Sequence, residues 1–145
     1  MAALAPSAVR QRIATALDAL TNWSETAMVP ERFGVAPNSV AHLRFAVFGG
    51  EIKPHARDRQ LSSEGVQVSQ PYTIRFGWKL KPKAQIASYD AADAECQAAI
   101  LAVEALSRTD LHLWLTRRLA PVVSPDGERL TLGFVVATSY RMALA

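Results

Sequence analysis

Between Val66 and Leu80 the chain alternates between apolar and polar residues. Val66, Val68, Tyr72, Ile74, Phe76, Trp78 and Leu80 hold even positions, while Gln67, Ser69, Thr73, Arg75 and Lys79 hold odd ones. Successive side chains of a strand point to opposite faces, so this period of two fits a long, half-buried strand and no helix. At about 3.3 Å per residue the run reaches on the order of 45 Å, longer than ordinary strands, which predicts a piece projecting beyond the main sheet. Pro71 cannot donate to a ladder and therefore predicts an edge position or a bulge at that point.

The other elements follow from weaker periodicities. Ser7 reads as the cap of a helix whose Val9, Ile13, Ala16, Leu17 and Leu20 line one face. Residues 21–39 carry Pro30, Gly34, Pro37 and Asn38 and read as a connection, with Trp23, Met28 and Phe33 against the core. A strand is expected over 40–48, where Leu43, Phe45 and Val47 alternate with His42, Arg44 and Ala46. Residues 49–65 show neither period and form a long polar loop, a length usually functional or disordered.

Ser88 reads as the cap of a second helix running to about Ser107, with Ala92, Cys96, Ala99, Ile100, Val103 and Leu106 as its apolar face. Two strands follow, over about 111–123 and 128–143, joined at Ser124-Pro125-Asp126-Gly127. Leu130, Leu132, Phe134, Val136, Tyr140 and Met142 share one face of the last; the 111–118 stretch reads equally as the start of a helix capped by Asp110. The order α-β-β-α-β-β predicts a single α+β domain over 1–145, a mainly antiparallel sheet with two helices packed on it and one long strand or hairpin projecting.

Composition bounds the rest. A chain of 145 residues is one domain long and can bury roughly 70% of its unfolded surface. Half the residues are apolar and 20% are charged, outside the disordered class. No apolar stretch reaches the roughly 20 residues a membrane helix needs, and the N-terminus has no export-signal pattern, so a soluble, non-exported protein is expected. The single cysteine, Cys96, cannot form an internal disulfide. A net charge of +3 permits contact with an acidic surface but is modest for a dedicated nucleic-acid binder.

The search for chemistry returns little. There is no G-x-S-x-G, H-E-x-x-H, Gly-rich phosphate loop or close Cys-His pairing. The chain is therefore expected to be no enzyme and to need no cofactor or metal. His42, His55 and His112 are scattered and read as packing or surface residues rather than ligands. Cys96 reads as a buried, inert thiol. Asp90, Asp93 and Glu95 read as residues favoured near a helix start and in solvent. Tyr72, Phe76 and Trp78 sit among Arg75 and Lys79 as a stacking platform would, but their parity assigns them to the core.

Two basic groups remain. Lys79, Lys81 and Lys83 stand two apart with no acid before Asp90, and Arg117-Arg118 have none before Asp126. Solvated strand ends explain both; phosphate or an acidic partner would also fit them. A sequence-independent nucleic-acid-binding module built on these five is the competing functional reading.

The whole chain resembles the tail terminator proteins of long-tailed bacteriophages and the related tail-completion and neck proteins. The resemblance lies in the order of VRQRIATALDAL, AHLRFAVF, YTIRFGWKL, AADAECQAAILAVEAL and the closing LGFVVATSYRMAL. It spans nearly all of the sequence but contains no diagnostic motif, so no family site residue carries over. It implies a virion protein assembled in the host cytoplasm, similar to subunits that form a homohexameric ring on the tail tube, stop tube polymerisation and join the tail to the head connector. The implied partners are further copies of the chain, the tail tube protein and the connector or neck proteins, with passing contact to genomic DNA and no membrane. The 49–65 loop is longer than in the smallest terminators, which leaves room for a neck or head-tail connector protein. Exposure and charge nominate Lys53, Arg57 and Arg59 in that loop and Lys79, Lys81 and Lys83 at the strand end as subunit or ring contacts, and Arg117 and Arg118 as contacts to phosphate or an acidic partner.

Overall fold

The computed structural model describes residues 3–27, 33, 41–54 and 65–143. Their elements run α1 (Pro6–Asp18), β1 (Ser24–Glu25), β2 (Arg44–Gly49), β3 (Lys53–Pro54), β4 (Val66–Lys79), α2 (Gln85–Glu104), β5 (Leu111–Val123) and β6 (Arg129–Met142). The expected order α-β-β-α-β-β is present, with the two-residue strands β1 and β3 added. The sheet runs β1-β2-β4-β6-β5, with β3 beside β4; every pairing is antiparallel except β1 with β2.

The alternation of residues 66–80 becomes β4, and its register explains its length. Val66 through Lys79 pair one-to-one with Met142 through Arg129 of β6. The strand thus does not overhang the sheet, because a second strand with the same period matches it along its whole length. Pro71 is neither at an edge nor at a bulge. Its carbonyl accepts from the Gly50 N–H (2.8 Å), where β2 has just ended, so the missing proline N–H leaves the β4–β6 ladder intact. The donor is replaced from next door: Gln70 Nε2 donates to the Gly50 carbonyl at 3.1 Å. Gly50 is required for this approach, since a Cβ there would stand 2.6 Å from Pro71 Cγ.

Several boundaries move from the sequence expectation. Helix α1 has Pro6 in its first turn and Ala5 as its cap, with no side-chain cap bond, so Ser7 lies inside the helix. Ala14, rather than Ala16, completes its buried face with Val9, Ile13 and Leu17. Strand β2 starts at Arg44 because Leu43 takes φ +58 and gives its N–H to the Gly77 carbonyl. Helix α2 begins at Gln85 and ends at Glu104, and Ser88 is buried inside it, its Oγ accepting from the Lys81 N–H at 3.2 Å. The 111–118 stretch is strand, since pairing with β6 supplies a ladder that a local helix cap cannot match.

Both helices lie on one face of the sheet: α1 packs on β2, α2 packs on β5 and β6, and the helices touch each other. The core between them is made of the even residues of β4 and β6, including Val68, Tyr72, Ile74, Phe76, Leu130, Leu132, Phe134 and Tyr140. Ala92, Cys96, Ala99, Ile100 and Val103 of α2 close it. Trp23 is buried beside Phe76 (4.6 Å between ring centroids) and Phe45 (6.0 Å). Phe33 is also buried, against Phe48; Met28 lies outside the described residues.

One polar cluster sits inside this core. Gln70 Oε1 accepts from the hydroxyls of Tyr72 (2.9 Å) and Tyr140 (2.8 Å), and Thr138 Oγ1 donates to the Gln70 carbonyl (2.7 Å). Every buried side-chain polar atom among the described residues has a partner, as a buried network must to avoid a desolvation cost.

Candidate functional site

The nominated basic residues separate into three places. Lys53 pairs with Ser69 near the start of β4 and is exposed; Arg57 and Arg59 lie outside the described residues. Lys79 ends β4, ten residues beyond Ser69 and so about 33 Å away along the strand. Lys81 and Lys83 follow in the exposed turn into α2. One contact surface cannot include Lys53 and the Lys79–Lys83 group unless it spans the length of the sheet.

Around Lys79 and Lys81 the turn borders a groove of about 480 Å³ between the end of β4 and the first turns of α2, lined also by His42, Trp78, Ala84, Ala87, Ser88 and Ala91. The Lys79 N–H donates to His42 Nδ1 at 3.0 Å, which fixes the proton of the neutral ring on Nε2. Burial, then Arg129, holds the His42 pKa below its ordinary value, with Lys79 adding to this and Glu95 opposing it. The ring meets Trp78 edge-on at 4.5 Å. His42 Nδ1 and Ser88 Oγ are tied into the fold by the Lys79 and Lys81 N–H groups, and the lining offers no nucleophile with a base.

Arg117 and Arg118, adjacent on β5, point to opposite faces as strand neighbours do, and the register shift between Leu115 and Arg117 turns Arg117 to the face away from the helices. Arg118 faces α2 and forms an ion pair with Asp93 at 2.6 Å. That pairing holds the guanidinium pKa up and makes Arg118 a structural tie rather than a free phosphate contact. The sequence placed the next acid at Asp126; the fold supplies one from 25 residues upstream. Arg117 lies on the other face, exposed. Glu95 likewise acts structurally, accepting from Trp23 Nε1 at 3.0 Å, so Asp93 and Glu95 are more than solvated helix residues.

Cys96 is buried as expected. Burial pushes its thiol pKa up, although nearby Arg118 pulls the other way. Among the described residues no group of three His, Cys, Asp or Glu side chains is placed to hold a metal ion, and no helix is long and apolar enough to cross a membrane.

Sequence reasoning missed a concentration of apolar surface. Ile86, Tyr89 and Leu101 of α2 and Trp114, Val122 and Val123 of β5 are the exposed large hydrophobic residues among those described. All six lie on the two elements that meet at one edge of the sheet, where Asp93 reaches Arg118 and Glu104 Oε1 accepts from the Leu115 N–H (3.3 Å); register turns Trp114 and Val122 to the face away from the helices, so the six flank this edge on both sides. Ser107 Oγ accepts from the Leu113 N–H (3.4 Å), so side chains cover the first half of the β5 edge. Two register shifts and Pro121 interrupt its second half. Such devices prevent indiscriminate strand addition. No known family model matches the chain, and no curated protein matches it.

Proposed function

We propose that this chain is a structural virion protein, a tail terminator of a long-tailed bacteriophage. Its subunits associate into a ring that caps the tail tube, stops tube polymerisation and joins the tail to the head connector. The observation that carries this reading is that all the exposed large hydrophobic residues among those described lie on α2 and β5, neighbouring elements at one edge of the sheet. Exposed large apolar side chains confined to two adjacent elements are the kind of surface a subunit interface covers. The element order that carries the family resemblance, and an interrupted β5 edge that favours a closed assembly over an open fibre, support it further.

The test is the mass of the full chain by light scattering over a concentration series, with negative-stain imaging of any large species. The expected result is a species near six subunits with a central hole, which Val122→Lys with Val123→Lys converts to monomer without loss of fold. A strict monomer at the highest concentration, or assembly unaffected by the paired substitution, overturns the reading.

A further inference from the structure

Sheet register sorts the charged residues of this chain onto two sides. Residues opposite one another in a ladder share a face, so the odd residues of β4 share one with their partners in β2, β3, β5 and β6, on the side away from the helices. Arg44, Arg75, Lys79, Arg117 and Arg129 all fall on that open face, with Lys53 at its far end. The described carboxylates fall elsewhere. Asp18, Asp90, Asp93, Glu95 and Glu104 are on the helices, Glu25 shares the helix-side face with Phe45, and Glu51, Asp110, Asp126 and Glu128 lie in turns. None of the five central cations forms an ion pair with a described residue.

The arrangement is costly to the fold alone. Lys79 stands directly opposite Arg129, and like charges opposite one another destabilise a sheet. Arg75 and Lys79 are about 13 Å apart along β4, and β2 to β5 spans roughly 14 Å across the four strands. Between the cations the half-buried Thr73, Thr131 and Ala137 reach solvent, Leu119 and Arg75 lie over the buried Gly133, and Ala46 is fully buried at the β2 end, where Phe33 packs on Phe48. Arginine, lysine and hydroxyl groups are the donors that contact phosphate oxygens. An acidic protein would also meet the charge. A single strand of nucleic acid would need several stacking aromatics, whereas on this face Phe48 is engaged by Phe33 and Arg75, leaving Trp114.

We infer that the open face of the sheet binds the phosphate backbone of a nucleic-acid duplex without reading its sequence. The inference does not rest on the ring reading, since binding is measured on the same preparation whatever its mass. The assay is fluorescence anisotropy of the full chain with a labelled random-sequence DNA duplex at ~50 and ~200 mM salt. Four phosphate contacts, at a slope of about −0.9 each, predict an affinity loss of about 100-fold across that range. Arg75→Gln and Arg117→Gln, tested singly because each residue is exposed, should each weaken binding and shrink the slope by about one contact. Lys81→Gln with Lys83→Gln, in the turn beyond the face, should leave the slope unchanged. No binding at ~50 mM salt overturns the inference, as does a slope indifferent to Arg75 and Arg117. Displacement of the duplex by polyglutamate at equal charge also overturns it, because the face would then be an acidic-protein site.

Discussion

Replacing Gln70 with leucine tests whether the polar cluster in the core holds the sheet together. The native side chain satisfies three groups: the Gly50 carbonyl beside Pro71 and the hydroxyls of Tyr72 and Tyr140. Leucine satisfies none of them. Tyr72 retains the Pro6 carbonyl at 3.1 Å and the exposed Gly50 turns its carbonyl to water, so one buried group is orphaned, Tyr140 Oη. The stranded hydroxyl costs about 1–3 kcal/mol, the lost bond to the Gly50 carbonyl about 1 kcal/mol, and the added apolar burial returns about 1 kcal/mol, leaving a net loss of about 1–3 kcal/mol. Tyr140→Phe alone removes one hydrogen bond while Tyr72 still serves Gln70, for about 1 kcal/mol. In the double variant the stranded Tyr140 hydroxyl no longer exists, so the combined loss should fall short of the sum by about 1–2 kcal/mol. Urea unfolding at one fixed subunit concentration, which holds any assembly contribution constant, measures all three. A Gln70→Leu variant within about 0.5 kcal/mol of the parent, or strictly additive losses, would refute the reasoning.

Three further outcomes follow from the same structure. Burial raises the pKa of both Tyr72 and Tyr140 above the ordinary 10.0, and their mutual contact raises that of Tyr72 further. The folded state therefore holds these protons more tightly than the unfolded state. Stability should be complete below pH 10.0 and decline above it, with the phenolate absorbance of Tyr72 and Tyr140, read in a Tyr89→Phe background, rising as the fold is lost; their titration at the ordinary value in an intact fold contradicts this. Gly65 has φ +97, and a Cβ there would collide with the Met142 carbonyl. Gly65→Ala should thus cost about 2–4 kcal/mol by thermal unfolding, against near zero for a substitution that fits. Cys96 should react with a thiol reagent only at the rate of opening, so rapid labelling in native buffer would contradict its burial.

Local periodicity made much of the fold legible. The even positions of 66–80 and 130–142 are the core-facing residues of β4 and β6, and the apolar face read for the second helix is the buried face of α2 apart from Leu106, which is half-buried. Helix starts were less legible. A serine near a boundary fits a cap by type, but Ser7 and Ser88 both lie inside their helices, where Pro6 and the Lys81 turn set the starts. Pro71 misled for a related reason. Its missing donor implies an edge only when nothing else can serve the facing carbonyl, and here the neighbouring Gln70 amide does. The basic groups were chosen by closeness in sequence, which joined Arg117 to Arg118 although strand alternation sends neighbours to opposite faces.

The sequence by itself determined which side chains share a face within β4 and β6, because alternation is a property of the local backbone, whereas the register shifts in β5 break it. It also determined that an even-faced core must exist, since two long runs of the same period have to bury that face. Only the tertiary structure decided which strands lie side by side. The order β1-β2-β4-β6-β5 joins residues far apart in the chain, and it is this adjacency that pools Arg44, Arg75, Arg117 and Arg129 on one surface. The same long-range packing brings Asp93 to Arg118 and sets α2 beside β5, the two elements that carry the exposed large apolar residues among those described. Periodicity carries the direction of a side chain but no information about its neighbour on another strand, and the charge and apolar surfaces of this protein are made of such neighbours.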